Sequence, residues 1–409
     1  MIRIMSRIVF IVCGLFLLHG VLSAQKDKNE IDHGMDTPML NTNPLPDYDN
    51  DKLDYGMTIG IERTVKGRIW ACWVGGGDNA DAFFVLATSD DEGESWSKPR
   101  LVIDPHDMSL GERRSTIVGN LWTDPLGRLW LFFDQSMEYF DGKAGCWYTI
   151  CENPDSEDPV WSTPIRIWHG CALNKPTVMS DGSWVLPLNL WSRRMIYPKY
   201  KEACHELDSL RLAYAFVSTD QGKNWKRRGG VEFPFRTFDE HQIVERKDSS
   251  WWMTARTTNG IHESVSTDKG YTWSFPEKYL PNPSSRHFIR RLKSGRLLLV
   301  KHGDINQRTK IRSQLKAFLS EDDGKTWIGG LMLDERRGVS YPDGFQAPDG
   351  YIYISYDRNR EMDGEVLMTR FTEEDILSGQ FISPRSRMRM LISRPGTIEY
   401  IRSNNIPKL

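Results

Sequence analysis

One polar string occurs four times in this chain and constrains its fold more than any other feature of the sequence. Each copy follows one rule: Ser, any residue, Asp, any residue, Gly, any residue, a small polar residue and Trp. The copies read TSDDEGESW at 88–96, VSTDQGKNW at 217–225, VSTDKGYTW at 265–273 and LSEDDGKTW at 319–327. Ser and Asp side chains that accept from backbone N–H groups, followed by a Gly able to take positive φ, are typical of a tight turn. We therefore predict structural roles for Asp91, Asp220, Asp268 and Asp322. A calcium loop is the weaker alternative, because each string supplies too few carboxylates.

A second pattern alternates with the Asp strings. It consists of an apolar run, a turn with Gly or Asp, and then a run in which aromatic and aliphatic residues alternate, as in DPLGRLWLFF at 124–133. This pattern predicts a β-hairpin. The turns centre on Gly67, Gly127, Gly182, Ser249, Gly295 and Gly350, at intervals of 60, 55, 67, 46 and 55 residues.

Six hairpins at this spacing, with almost no helical periodicity between them, predict an all-β fold, a six-bladed β-propeller of four-stranded blades. The Asp string then fits the turn between the third and fourth strands of a blade. Blades 1, 3, 4 and 5 carry it, blade 2 has a degenerate remnant at 151–161, and blade 6 has none.

The N-terminal residues have the composition of a processing segment. Arg3 and Arg7 precede a long apolar run, and Ser23-Ala24 offers small residues for cleavage. This pattern predicts a signal peptide over 1–24, with an uncleaved anchor as the alternative, and hence a secreted or periplasmic protein. Residues 25–50 are polar and rich in Pro and Asn, which indicates a linker or surface arm. Residues 51–409 would form the catalytic propeller, and no other stretch is long and apolar enough to span a bilayer.

Cysteine and charge content narrow the possible ligands. Five cysteines follow the signal peptide, an odd number at irregular spacing, so buried free thiols are expected rather than a disulfide framework. No CxxC or HExxH motif occurs, and the sequence predicts neither a metal nor another cofactor. A net charge of −2 provides no global field that would attract nucleic acid.

The loops that lead into the innermost strands of a propeller converge on one face around the axis. In this chain those loops carry mainly cations, with one acidic cluster and one tyrosine. The residues are Arg113, Arg114, Lys175, Asp239, Glu240, His241, Arg286, His287, Tyr341 and Asp343. Converging cations predict an anionic ligand, and the planar fork of Arg matches a carboxylate.

The Asp strings resemble the Asp-boxes of sialidases and sialidase-like six-bladed propellers, and the resemblance covers roughly residues 53–380. It implies three arginines that hold a substrate carboxylate, a Tyr nucleophile activated by a Glu, and an Asp acid/base. Four residues match in identity, order and blade: Glu240 as the Glu, Arg256 and Arg312 as the second and third arginines, and Tyr341 as the nucleophile.

Two positions depart from the family pattern. Met57 stands where the first arginine is expected, and Arg114, Lys175 or Arg286 is expected to replace it from a neighbouring blade. The acid/base is expected in GGGDNADAFF, where Asp78 is preferred to Asp81. We also expect His241 and Asp343 to contribute to an altered substrate subsite.

The resulting prediction is a secreted exo-glycosidase that removes a terminal acidic sugar, sialic acid or a related carboxylated sugar, from a glycan by a retaining Tyr mechanism. Two alternatives remain at this point. One is a polysaccharide lyase in which Tyr341 or His241 abstracts a proton beside a uronate carboxylate. The other is a non-catalytic carbohydrate-binding propeller.

Overall fold

Residues 32–396 form six antiparallel sheets arranged around one axis in the computed structural model, which describes this part of the chain. The predicted signal peptide lies outside these residues. The strands of blades 1 to 3 are β1 (Met57–Arg63), β2 (Ile69–Gly75), β3 (Phe83–Ser89), β4 (Leu101–Ile103), β5 (Arg114–Ser115), β6 (Gly119–Thr123), β7 (Leu129–Met137), β8 (Gly145–Cys151), β9 (Ile165–His169), β10 (Thr177–Val178), β11 (Trp184–Asn189), β12 (Ala213–Ser218) and β13 (Lys226–Val231).

Blades 4 to 6 continue the same order. Their strands are β14 (Gln242–Glu245), β15 (Trp251–Thr257), β16 (Gly260–Ser266), β17 (Glu277–Leu280), β18 (Phe288–Arg291), β19 (Leu297–His302), β20 (Leu315–Ser320), β21 (Ile328–Asp334), β22 (Val339–Gln346), β23 (Ile352–Arg358), β24 (Glu365–Phe371) and β25 (Arg387–Ser393).

Every blade is a meander in which consecutive strands pair antiparallel from the axis outwards. Blade 2 has one additional short strand, β5, which pairs with the far end of β7 beside β6. The ring closes because β1 contacts both β22 of blade 6 and β6 of blade 2. The six-bladed prediction is thus confirmed.

The Asp strings form the turns between third and fourth strands, as predicted. In blade 3 the Ser218 hydroxyl donates to Asp220 and accepts from the backbone N–H of Gly222, while Asp220 accepts from the N–H of Asn224. Gly222 has φ +85, and a Cβ there would lie 2.4 Å from the ring of Trp130 in the preceding blade. The string is therefore a turn that also allows close packing between blades.

In blades 2 and 6 the third and fourth strands are connected differently. In the remnant of blade 2, the side chain of Asn153 accepts from the N–H of Val160 and takes over part of the Asp role. In blade 6 a short helix, α1 (Glu373–Ser378), replaces the turn; its N-cap is Thr372, which forms a capping box with Asp375. These local substitutes explain why the string is degenerate or absent in the two blades.

Most tryptophans belong to the packing between blades. The largest fully buried side chains include Trp70, Trp73, Trp130, Trp191, Trp251 and Trp252. Rings from adjacent sheets meet edge to face, as Trp122 and Trp184 do at 4.9 Å. The high Trp content is thus explained mainly by the repeat architecture.

The described part of the N-terminal arm lies against blades 1 and 2. Asn41 pairs with Val102 at the outer edge of β4, and the Gln135 side chain donates to the backbone carbonyl of Asp36. All five cysteines of residues 32–396 are free, and four of them are buried. Within these residues, no helix has the length and apolar character needed to cross a membrane.

Candidate active site

Two residues that the sequence pairs as nucleophile and base are in direct contact. The hydroxyl of Tyr341, on β22, donates to Oε1 of Glu240 at 2.7 Å. Nη1 of Arg256, near the end of β15, donates to the same oxygen at 2.6 Å and lies 3.5 Å from the Tyr341 hydroxyl. The loop into blade 4 and the strands β15 and β22 thus bring a carboxylate, a guanidinium and a phenol together.

The backbone is unusual at two acidic residues and at the tyrosine. Asp239, Glu240 and Tyr341 all have positive φ, between +44 and +56, where non-Gly residues are strained. Strained residues persist only where surrounding contacts hold them in place, and they cluster at functional sites.

The strained turn at Glu240 is fixed by Asp239. The carboxylate of Asp239 accepts from Nε of Arg236 at 3.0 Å and from the side-chain amide of Asn189 at 3.2 Å, and its backbone carbonyl accepts from the N–H of Arg256. These contacts tie the loop before β14 to blade 3 and to β15. Their combined effect is to hold Glu240 in the position from which it reaches the phenol.

Tyr341 occupies an irregularity in the pairing of its strand. The register of β22 against β23 shifts between Ser340 and Asp343, and Pro342 cannot donate a ladder hydrogen bond. A bulge of this kind redirects a side chain. It explains how Tyr341 can project towards Glu240 from within a regular blade.

Burial decides the protonation of Tyr341. Desolvation first, and then the charge of Glu240, raise the pKa of Tyr341 to about 12, against the opposing charges of Arg256 and Arg360. The phenol is therefore neutral at neutral pH and needs a base to become a nucleophile. Glu240 is fully buried, and its second oxygen, Oε2, has no hydrogen-bond partner within the described chain.

Arg312 carries a guanidinium without a carboxylate partner within residues 32–396. Its Nη2 donates to the backbone carbonyl of Ser284 at 3.1 Å, and its Cζ lies 5.8 Å from the ring centroid of Tyr341. Burial, followed by the charges of Arg360 and Arg256, lowers the pKa of Arg312. A partly buried cation with cationic neighbours is stabilised by an anion bound beside it.

Arg360, which the sequence analysis missed, lies closer to Tyr341 than the other arginines that stack on it. Its Cζ is 4.1 Å from the ring centroid, while Nε contacts Asp357 at 3.1 Å and Nη2 donates to the Ser340 hydroxyl. It belongs to the loop between β23 and β24. Topology could have indicated Arg360. In each blade, the loop that joins the second and third strands lies at the same end of the propeller as the loop that leads into the first strand.

Asp78 lies at the edge of this cluster. It is in the loop between β2 and β3, its side chain is 39% exposed, and its Oδ2 is 3.3 Å from Nη1 of Arg360. Its charge also contributes to raising the pKa of Tyr341, which reflects their proximity. The alternative residue Asp81 instead pairs with Arg113.

Three residues that were expected to bind substrate form a buried ionic network along the axis instead. Lys175 contacts Glu62 and Asp343, each at 3.0 Å, and donates to two backbone carbonyls. Arg286 donates to Asn174 at 2.9 Å and lies 3.4 Å from Asp343. All of these side chains are buried, so Lys175, Asp343 and Arg286 are committed to one another beneath Tyr341.

Two further expected substrate-binding residues lie away from the Tyr341–Glu240 pair. Arg114 contacts Asp36 of the N-terminal arm at 3.1 Å and the carbonyl of Pro105. His241 is buried with Nε2 2.8 Å from the carbonyl of Tyr214, and desolvation lowers its pKa to about 4. Of the three residues expected to replace the arginine missing at Met57, Arg114 pairs with the N-terminal arm, Lys175 pairs within the axial network, and Arg286 joins that network with its Cζ 5.8 Å from the Tyr341 ring centroid. Met57 itself is a buried core residue.

An aromatic wall, formed by Tyr139, Trp191 and Phe238, borders the arginine cluster. Phe238 contacts Trp191 with centroids 4.9 Å apart, and the guanidinium of Arg256 stacks on Phe238 at 5.3 Å. Tyr139 stacks on Trp191 at 6.0 Å. The wall limits access of water to the Arg256–Glu240 pair on this side.

The blades, the Asp-box turns and the tyrosine–glutamate–arginine cluster define a sialidase-like β-propeller. The chain belongs to the BNR repeat-like domain family, whose model matches residues 67–354. No curated protein matches it in sequence.

Solved structures share the fold at low sequence identity. The intramolecular trans-sialidase from Ruminococcus gnavus, in complex with oseltamivir carboxylate, has a TM-score of 0.61 and 15% identity over 82% of this chain and 98% of its own. A leech intramolecular trans-sialidase has a TM-score of 0.61 and 13% identity over 81% and 70%. A protein of unknown function from Dyadobacter fermentans has a TM-score of 0.56 and 14% identity over 76% and 93%.

Proposed function

We propose that this protein is a glycosidase that removes a terminal sugar bearing a carboxylate, sialic acid or a related acidic sugar, from a glycan. The observation that carries the proposal is the 2.7 Å hydrogen bond from the Tyr341 hydroxyl to Glu240. A buried phenol in contact with a buried carboxylate is an activated nucleophile, which is a feature that binding alone does not require.

The reaction begins when Glu240 accepts the phenolic proton as the Tyr341 oxygen attacks the anomeric carbon. Asp78 gives a proton to the departing glycosidic oxygen, so that the aglycone leaves as a neutral alcohol. Water then attacks the glycosyl-tyrosine, Asp78 takes a proton from that water, and Glu240 returns its proton to the phenolate. Two displacements give retention of anomeric configuration.

A phenol suits an acidic substrate because a neutral nucleophile avoids repulsion from the substrate carboxylate. Arg256 and Arg312 bind that carboxylate. Arg312 is favoured for this role because, within the described residues, it has no carboxylate partner of its own. The planar guanidinium also matches a carboxylate in a bidentate geometry.

A lyase is the second candidate, because Tyr341 with Glu240 could also abstract a proton beside a uronate carboxylate. The position of His241 against the Tyr214 carbonyl disfavours the version of this mechanism that uses His241 as the base. A non-catalytic binding protein is disfavoured by the Tyr341–Glu240 contact.

We also propose that the protein acts outside the cytoplasm. Its N-terminal sequence supports export, with Gln25 as the first mature residue. Terminal sequencing of the protein recovered from the periplasm or the medium tests this, and a retained Met1 would contradict it.

The decisive experiment for the reaction is a screen against aryl glycosides of sialic acid and of several uronic acids, and against 4-linked oligosaccharides of the same uronic acids. Release of the aglycone, without an unsaturated sugar, is expected. An unsaturated, ultraviolet-absorbing sugar would instead establish the lyase, and binding of acidic sugars without turnover would establish the binding protein.

A further inference from the structure

The side chain of Arg360 is held by two kinds of contact. Asp357, which is buried, and the Ser340 hydroxyl hold Nε and Nη2, each at 3.1 Å. Asp78, which is exposed, contacts Nη1 at 3.3 Å. The buried contacts fix the guanidinium over the Tyr341 ring, whereas the contact with Asp78 lies on the solvent side of the cluster.

The charges of the cluster are balanced in the free protein. Arg256 pairs with Glu240, Arg360 contacts both Asp357 and Asp78, and Arg312 contacts no carboxylate of the described residues. A substrate carboxylate would be the fourth anion among these three cations, and the third at Arg360. Carboxylates that share one guanidinium repel each other in a partly buried cluster, so the exposed Asp78 is the one that can leave.

We propose that Arg360 is a substrate-carboxylate ligand supplied by blade 6, and that Asp78 occupies its anion position until an acidic sugar displaces it. This exchange of the Asp78 carboxylate for the substrate carboxylate at Arg360 rests on the proposed function. Arg360 thereby supplies the cation that is missing at Met57, from a loop that follows β23 rather than from β1.

The surroundings of Asp78 allow its carboxylate to leave Arg360. Gly75, Gly76 and Gly77 precede it, and the latter two have φ of +80 and +138, which only glycine adopts readily. Within residues 32–396, Arg360 is the side chain that pairs with Asp78. When the pair opens, Arg360 keeps its contacts with Asp357 and Ser340, so the guanidinium remains in place for the incoming carboxylate.

The test is the affinity for free sialic acid, which is not consumed, measured by calorimetry on the wild-type protein and on Asp78→Asn. The substitution removes the competing charge, and binding should tighten about tenfold. Asp81→Asn is the matched control on the same loop and should leave the affinity unchanged. Binding of neutral galactose, measured on the same proteins, should not respond to either change.

A double-mutant cycle assigns the effect to Arg360. Arg360→Gln should weaken binding, and Asp78→Asn should bring no gain in that background. If Arg360→Gln fails to fold because Asp357 is left unpaired, Arg360→Lys replaces it, and the Asp78→Asn comparison stands independently. Unchanged or weaker binding by Asp78→Asn, or a gain that persists without Arg360, would overturn the exchange alone. Failure of the wild-type protein to bind or cleave any acidic sugar would overturn the proposed function, and the exchange with it.

Discussion

The Tyr341 hydroxyl and the Glu240 carboxylate are hydrogen-bonded at 2.7 Å although 101 residues separate them in the chain. The contact joins the first loop of blade 4 to the first strand of blade 6, across the axis of the propeller. A pair at this separation depends on the closed ring, because small changes in blade packing would separate the two atoms. The blade scaffold therefore determines the chemistry of the cleft as well as its shape.

Tyr341→Phe removes one hydroxyl and keeps the ring in place. We expect kcat to fall by several orders of magnitude on an acidic aryl glycoside, because the nucleophile is lost. The affinity for free sialic acid should persist, because Arg256 and Arg312 remain. Steady-state kinetics and calorimetry measure the two effects, and near-normal turnover would contradict the tyrosine mechanism.

Arg312→Ala should affect binding more than folding. The change removes a charge-assisted contact of roughly 1.5–3 kcal/mol, so the affinity for an acidic sugar should fall about ten- to a hundredfold. Arg308→Ala is a suitable control, because Arg308 is an exposed residue of the same loop that donates to the carbonyl of Thr258. Equal losses for the two variants would show that Arg312 has no specific role.

Asp322→Ala tests the structural role of the Asp strings. The Asp322 carboxylate accepts from the backbone N–H of Thr326 at 2.8 Å and from the hydroxyls of Ser320 and Thr326. Loss of these contacts should lower the free energy of unfolding by about 1–3 kcal/mol, with KM unchanged. The exposed Glu277 provides a control alanine variant, and a raised KM without loss of stability would contradict the structural role.

The blade architecture could be predicted from the sequence because its signals are local. Turn residues such as Gly127 and the four Asp strings determine hairpins within a few residues, and their spacing determines the number of blades. Blade 6 shows the limit of the method. Its turn is replaced by α1, whose sequence EEDILS does not follow the pattern of the string.

The site was less predictable because a loop position does not determine where a side chain points. Lys175 and Arg286 come from the expected loops, but they turn inwards to Asp343 along the axis. Arg360 follows β23 in a polar segment, DRNREMDGE, in which no periodicity distinguishes it from a solvated charge. Its contact with Asp357 is local, but its contact with Asp78, 282 residues away, is one that only the closed ring creates.

The buried Asp134 gives a prediction about pH. Desolvation raises its pKa from 3.8 to about 7, although its carboxylate accepts from the N–H groups of Ile117 and Val118 at 2.8 and 2.9 Å. Because the folded-state pKa is above the unfolded value, its contribution to stability is fully present below about pH 4. The contribution is lost as the pH rises through about 7, at about 1.4 kcal/mol for each pH unit between the two values.

Asp134→Asn keeps an oxygen that can accept from both N–H groups but cannot ionise. Its free energy of unfolding should therefore lack the decline between pH 4 and pH 7 that Asp134 adds to the wild type, and the variant should gain on the wild type as the pH rises. Urea denaturation at a series of pH values measures the difference. Asp158→Asn, at an exposed position in the turn of blade 2, should run parallel to the wild type. If Asp134→Asn also runs parallel to the wild type over this range, Asp134 keeps the same charge in both states and burial does not shift its titration.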